Sequence, residues 1–427
     1  MIKILDSKKN NFNSSLDNLL LKRKNKIKFK SNIVINIIRD IKKNGDKALL
    51  KYEKKFGKNS IIFSKPKEIQ KQIKNLDKKV KKSIDLAYNR IFQFHSKQKV
   101  KNIFYKDKLQ NKLSYKYMPI DSVGIYVPGG TASYPSTVLM NAIPAVIAGV
   151  KRIVMVNPRN RGKQNSGVLY AAKKCGVKEI YLVGGAQAIA ALSCGTKKIK
   201  KVNKIVGPGN IYVTAAKKEI FGETGIDMIA GPSEITVLGD RYSNSDWIAS
   251  DLIAQSEHDE LSQSIFISKD KSLINKVKKS LFCQLKKLPR RLIASKSLKS
   301  NGILIYASSD QKIVETINQI APEHLELYIR NYNNILNKIV NAGAIFLGKY
   351  STEAVGDYLA GTNHVLPTSG SAKFSSGLSV YDFYKRISYI NLSKKGIETL
   401  GPSVITLANF EGLEGHAKSV ELRIRRK

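Results

Sequence analysis

From Ser122 onward the chain alternates short apolar runs with stretches of helical spacing, and this alternation constrains the fold more than any other feature. Val123 to Val127 reads as a strand that ends in Pro128-Gly-Gly130, and a helix from Ser136 to Val150 follows. The strand Arg152 to Val156, the helix Gly167 to Cys175, the strand Glu179 to Val183 and the helix Ala186 to Ser193 continue the pattern. The strand Lys204 to Val206 and a helix from Ile211 close it. Strands joined through helices pair in parallel, because a crossover returns the chain to the same edge before the next strand begins. The alternation then restarts. Ile235 to Leu238, Ser264 to Ser268, Gly302 to Tyr306 and Ala344 to Leu347 read as strands. The helices Asp246 to His258, Ser272 to Leu285 and Asp310 to Ile320 lie between them.

The reading is therefore an α/β protein with two Rossmann-like αβ domains, each on a parallel sheet. Smaller, helical N-terminal and C-terminal segments complete it. A chain of 427 residues is too long for one ordinary core, which agrees with two domains. The expected division is 1–121, largely helical and packed on the core; 122–234, the first αβ domain; 235–370, the second; and 371–427, a C-terminal segment. Ile33 to Tyr52 and Val80 to Phe94 carry the helical spacing of the first part, and His95 reads as a surface residue among lysines and glutamines. Val404 to Arg426 reads as a short apolar segment and a loop followed by a helix.

Composition excludes several classes. No apolar run is long enough to cross a bilayer, and the first residues lack the pattern of a signal peptide, so a cytoplasmic protein is expected. Cys175, Cys194 and Cys283 form no closely spaced pair, which argues against a disulfide framework or a thiolate zinc site. Lys+Arg number 74 against 33 Asp+Glu, a balance that attracts polyanions. The lysines are scattered through nearly every segment rather than gathered on one element. They read as decoration of solvated faces, with no specific nucleic-acid partner.

Glycine turns mark the ends of strands in the first αβ unit. Val183-Gly-Gly-Ala-Gln187 and Val206-Gly-Pro-Gly-Asn210 stand between a strand and a helix, where open αβ sheets bind ligands. Neither has the GxGxxG spacing, and steric need alone produces such turns. The histidines say more. Four of the five lie in the second half: His258 after Gln255, His324 after Glu323, His364 after Asp357 in a Gly-rich loop, and His416 after Glu411. Imidazoles and carboxylates converging from separate segments can build a zinc site with N and O ligands. No HExxH is present, and from the residues alone a zinc hydrolase and a basic nucleic-acid-binding protein remain alternatives.

At these residues the sequence resembles the histidinol dehydrogenase family. The blocks that carry the resemblance are Gly124-IYVPGGTASYPSTVLM-Asn141, Gly184-GAQAIAAL-Ser193, Gly207-PG-Asn210 and Ile226-DMIAGPSEITVL-Gly239. Four more follow in order: Ala254-QSEH-Asp259, Ala321-PEHLE-Leu327, Gly356-DYLAGTNHVLP-Thr368 and Gly412-LEGHAKS-Val420. The resemblance implies a zinc ion on Gln255, His258, Asp357 and His416, with His416 coming from the partner subunit of a homodimer. It implies Glu323 and His324 as the catalytic pair. It sets the substrate, histidinol, against Ser233, Gln255, His258, His324, Asp357, His364, Glu411 and His416. It sets NAD near Tyr126, Gln187 and Asn210. The implied reaction is a two-step oxidation of histidinol through its aldehyde to histidine, the last step of histidine biosynthesis.

Overall fold

A computed structural model describes residues 2–25, 31–98, 100–129, 134–159 and 164–424. Gly130 of the first glycine turn and the last residues of the expected final helix lie outside the described residues. The strands are β1 (Lys3–Asp6), β2 (Ile103–Lys106), β3 (Lys112–Pro119), β4 (Ser122–Tyr126), β5 (Arg152–Val156), β6 (Glu179–Tyr181) and β7 (Lys204–Val206). They continue as β8 (Gly225–Ile226), β9 (Glu234–Gly239), β10 (Gln263–Ser268), β11 (Ile303–Tyr306), β12 (His324–Tyr328), β13 (Ala344–Leu347) and β14 (Tyr384–Asn391).

Two parallel sheets organise the chain. The first has the order β6-β5-β4-β7-β8 and the second β1-β11-β10-β9-β12-β13. All pairings within both are parallel. Each strand divides its side chains between two cores, because successive residues point to opposite faces. In β4, Val123 and Ile125 face one core while Tyr126 faces the other; in β10, Phe266 opposes Ile265 and Ile267. Each fully buried Ile, Leu or Phe contributes about 1.5–3 kcal/mol, and both sheets are covered on both faces. The expected α/β class with two Rossmann-like units stands.

Several local expectations are corrected. The N-terminal stretch is mostly helical, but β1 pairs with β11 at the edge of the second sheet. The helices that follow it serve both sheets: Phe12 and Leu16 pack on the second, Val34 to Leu49 and Ile84 to Ile91 on the first. The segment after Pro322, where the alternation predicts no strand, opens β12. A third, antiparallel sheet, β14-β3-β2, has no counterpart in the sequence reading. Val404 lies inside the helix Lys394–Phe410, not in an apolar segment before a loop. Within that helix Gly401 lets the helix Glu414–Ile424 come close: a Cβ there would meet Val420 at 3.0 Å.

His95, expected at the surface, is fully buried. It ends the helix Lys78–His95, which packs one face against the first sheet. Its Nδ1 bonds to the carbonyl of Ile91 at 2.9 Å and its Nε2 meets Asn363 Nδ2 at 3.4 Å. Its polar neighbours in sequence occupy the turn beyond, so local composition misjudged the burial.

Candidate active site

The candidate catalytic groups stand at the amino ends of two adjacent strands of the second sheet. In β12, His324 pairs with Ile235 of β9, so the peptide of Glu234 lies beside both Glu323 and His324. The Glu234 N–H donates to Glu323 Oε2 at 2.8 Å, and its carbonyl faces His324 Nδ1 at 2.9 Å. A carbonyl can only accept, so the proton sits on Nδ1 and the lone pair on Nε2. His324 is buried and Nε2 has no hydrogen-bond partner. Burial lowers its pKa below the usual 6.5, with Asp357 and the bond to Glu234 opposing the shift, which keeps the ring neutral. A neutral imidazole with one nitrogen anchored and the other free is able to accept a proton.

Glu323 behaves in the opposite sense. Burial pushes its carboxyl well above the usual range, and the charges of Glu234, Asp357 and Glu353 add to the shift. Gly343 packs beneath it: a Cβ there would lie 2.6 Å from the Glu323 carbonyl oxygen.

Beside this pair stands a group able to hold a metal. The ligating atoms of His258, Glu353 and Asp357 lie within 4.8 Å of one another. His258 follows the helix Ser245–Ser256, its N–H turned back on the Gln255 carbonyl at 3.3 Å. Glu353 and Asp357 are one turn apart on the helix Glu353–Tyr358, so both face one side. Burial raises Asp357, but the bond to His364 and the charges of His364, His324 and His258 hold it at about 2. His364 Nδ1 sits 3.0 Å from the Asp357 carbonyl and 3.6 Å from Oδ1. Phe346 fixes the spacing between the two halves of the site. Its ring lies 6.1 Å from that of His324, and a Cβ at Gly356 would strike it at 2.6 Å. Only glycine lets the Asp357 helix lie that close.

Gln255 is fully buried, and neither its amide oxygen nor its nitrogen has a hydrogen-bond partner. An unpaired buried amide costs about 1–3 kcal/mol, and a cation on its oxygen removes the part that the oxygen contributes. The second sheet and its helices also carry several carboxylates: Glu234, Glu323, Glu326 and Glu353 are buried and Asp251 is half-buried, and burial raises Asp251, Glu326 and Glu353. The donor set of Gln255, His258 and Asp357 therefore fits a divalent ion. Ser233 immediately precedes β9 on the same side and accepts a bond from the Gln263 N–H.

The described residues do not bring the whole expected set together. Glu411 and His416 lie on the exposed C-terminal helical hairpin, and His416 is not part of the His258, Glu353, Asp357 group. Sequence reasoning missed Glu353, although its spacing of four from Asp357 was a usable signal. It also missed Glu234, whose role runs through its peptide, for which no side-chain pattern exists.

The residues expected near a dinucleotide lie in the first sheet. Tyr126 closes β4, and Gly207 follows β7 beside it; this is where the strand order reverses. Tyr126 and Gln187 are buried, and Asn210 caps the helix Ile211–Ile220 by accepting from Tyr212 and Val213 N–H.

Two doubly wound parallel sheets, one of them presenting a base beside a metal-competent group, define an α/β enzyme. Comparison with known proteins narrows this further. The sequence profile of the histidinol dehydrogenase family matches residues 21–424. Histidinol dehydrogenase of Pelagibacter ubique is 68% identical over 428 residues, covering 100% of both chains. That of Bacillus subtilis is 48% identical over 398 residues, covering 92% of this chain and 93% of its own. The crystal structure of histidinol dehydrogenase from Elizabethkingia anophelis superposes with a TM-score of 0.91 at 38% identity, covering 99% and 98%. The chain belongs to the histidinol dehydrogenase family and is an oxidoreductase.

Proposed function

We propose that the protein oxidises L-histidinol through L-histidinaldehyde to L-histidine, using zinc and NAD, as a homodimer in the cytoplasm. The observation that carries this reading is the His324 ring, neutral and anchored through Nδ1, with a free Nε2 beside the His258, Glu353 and Asp357 group.

Gln255, His258 and Asp357 hold the metal, and His416 of a second copy completes the set. When bound, the ion orients the imidazole and amino group of the substrate. NAD, when bound against Tyr126, Gln187 and Asn210, supplies the hydride acceptor. Ser233, His364 and Glu411 help to seat the substrate. His324 Nε2 takes the proton from the alcohol and later from the hydrated aldehyde. Glu323 takes a proton from the water that adds to the aldehyde. For this it must be ionised, so the second step gains from higher pH.

The C-terminal part of the chain supports the shared site. Phe410 is 91% exposed, and Leu407, Leu422, Ile390 and Phe104 are also largely exposed. Such an apolar surface on the hairpin and the third sheet calls for a covering partner, and a second copy that contributes His416 is the occupant we propose. The scattered positive charge has no part in the reaction and no specific nucleic-acid partner. The reading is tested by mixing pure protein with zinc, NAD and histidinol and following reduced nicotinamide. Two equivalents per histidinol are expected; none, with zinc present, overturns it.

A further inference from the structure

The helix Gly185–Cys194 starts where a dinucleotide's phosphates rest in many doubly wound sheets, since its first N–H groups are unpaired by the helix itself. Here two N–H groups at that start, those of Gly184 and Gly185, are already used. Glu53, 1% exposed, reaches across from the segment Glu53–Gly57, and its Oε1 accepts from the Gly184 N–H at 2.9 Å. The next N–H, of Gly185, donates to the Tyr126 hydroxyl at 3.0 Å. The same Glu53 Oε1 accepts from Gln187 Nε2 at 2.8 Å. That bond sets which way the amide points, so its oxygen lies on the other side, beside Gly185. A Cβ at Gly185 would sit 2.8 Å from that oxygen, so only glycine leaves the approach to it clear.

The segment around Glu53 is built to hold this carboxylate. A Cβ at Gly57 would lie 2.5 Å from Glu53 Oε2. Asn59 Nδ2 bonds to the Leu182 carbonyl at 2.8 Å, and the Leu182 N–H to the Ile62 carbonyl at 2.7 Å, which straps the segment across the end of β6.

We propose that Glu53 is a positioning residue for the cofactor subsite: it fills the anion position at this helix start and turns the Gln187 amide so that its oxygen receives a hydrogen-bond donor of the dinucleotide. The recognised group is then a ribose hydroxyl or an amine or amide N–H, and the diphosphate lies away from this turn. The inference rests on the assignment of Tyr126, Gln187 and Asn210 to the dinucleotide.

The test uses the zinc-loaded full chain and equilibrium binding of NAD. Glu53→Ala should weaken NAD at least tenfold, since it frees an oriented, charge-assisted hydrogen bond. Glu53→Gln, which keeps an acceptor oxygen in place, should restore most of the affinity. Gly57→Ala, which pushes a methyl against the carboxylate, should reproduce the Glu53→Ala loss and serves if that variant fails to fold. A second readout is independent of NAD. Inorganic pyrophosphate should raise the thermal midpoint of Glu53→Ala but not of wild type or Glu53→Gln, because only the alanine variant exposes the Gly184 N–H. If Gln187→Ala leaves NAD affinity unchanged, the subsite assignment itself fails. If Gln187→Ala weakens NAD while Glu53→Ala and Gly57→Ala do not, and pyrophosphate stabilises none of them, the role given to Glu53 is overturned.

Discussion

With β1 set aside as an added edge strand of the second sheet, the two parallel sheets place their strands in the same order: β4 and β9 are central, the next two strands lie on one side and the last two on the other. They use opposite ends. In the first sheet the candidate cofactor residues gather at the carboxyl ends of β4 and β7. In the second, Glu234, Glu323 and His324 stand at the amino ends of β9 and β12. At the carboxyl ends of β9 and β12 the loops are tied to one another. Asp240, just past β9, accepts from the Arg330 N–H at 2.8 Å, just past β12, and from the Ser243 hydroxyl at 3.2 Å; Ser243 in turn bonds the Tyr328 carbonyl. The point where strand order reverses is a common place for a ligand, but side chains can close it. The amino ends remain, and the Gln255 end of the helix Ser245–Ser256 and the Asp357 helix bring their groups there. Topology offers positions; local packing decides which are used.

If the sheets divide the work in this way, His324→Ala should produce the largest effect. Turnover should fall about a hundredfold to ten-thousandfold in both half-reactions, as removal of a general base does, while NAD affinity measured by direct binding stays as in wild type. An equal loss of NAD affinity would break the division. His258→Ala and His416→Ala should each lower zinc affinity at least tenfold in competition with a chelator, as loss of a ligand requires. Mixing the two inactive variants should recover part of the activity, because a mixed dimer has one site with both histidines. No recovery after verified subunit exchange would place His416 in its own chain's site or outside it.

Glu323→Gln should slow oxidation of the aldehyde more than that of the alcohol in single-turnover experiments. In wild type the aldehyde step should rise with pH as the raised Glu323 carboxyl ionises, and the variant should lose that dependence. Equal slowing of both steps would reject the separate roles. At the other sheet, Gly207→Ala should act in the opposite direction. Gly207 has φ +112, and a Cβ would lie 2.2 Å from the Tyr126 carbonyl oxygen. The substitution should cost about 1–3 kcal/mol of stability and weaken NAD while leaving zinc affinity unchanged; a change confined to zinc would contradict the separation.

The smallest effect concerns His95. Burial lowers its pKa from 6.5, with the Ile91 carbonyl opposing, so the native state disfavours its protonation while the unfolded chain does not. Stability is therefore full above about pH 6.5 and declines as pH falls below it, by no more than about 1.4 kcal/mol per pH unit for one group. His324 adds to the same slope. Chemical denaturation of His95→Gln between pH 7 and 5 should show a shallower decline than wild type; an identical slope would mean the ring is not held neutral.

Much of this was legible in the chain. Alternating apolar runs separated by glycine turns determined two parallel αβ sheets, because a period of two and a period near four cannot exchange roles. The setting of His258 and His364 near carboxylates marked a possible metal site, while Gln255, His258 and Asp357 as its ligands came from the resemblance to the family. Other features were invisible for physical reasons. β12 follows a proline and alternates buried His324 and Glu326 with its leucines, so no apolar run announces the strand. The antiparallel sheet joins β3 and β14, whose register spans Lys112 to Asn391, and nothing local specifies such a distant pairing. His95 has polar neighbours but faces inward. Glu234 acts through a peptide that every residue possesses. The sequence by itself determined which elements form and which side chains can do chemistry. The tertiary structure alone decided that β9 and β12 pair in the register that sets the Glu234 peptide against His324, and that Glu53 closes the helix start beside Gln187, because those contacts join segments far apart in the chain and depend on how whole elements pack.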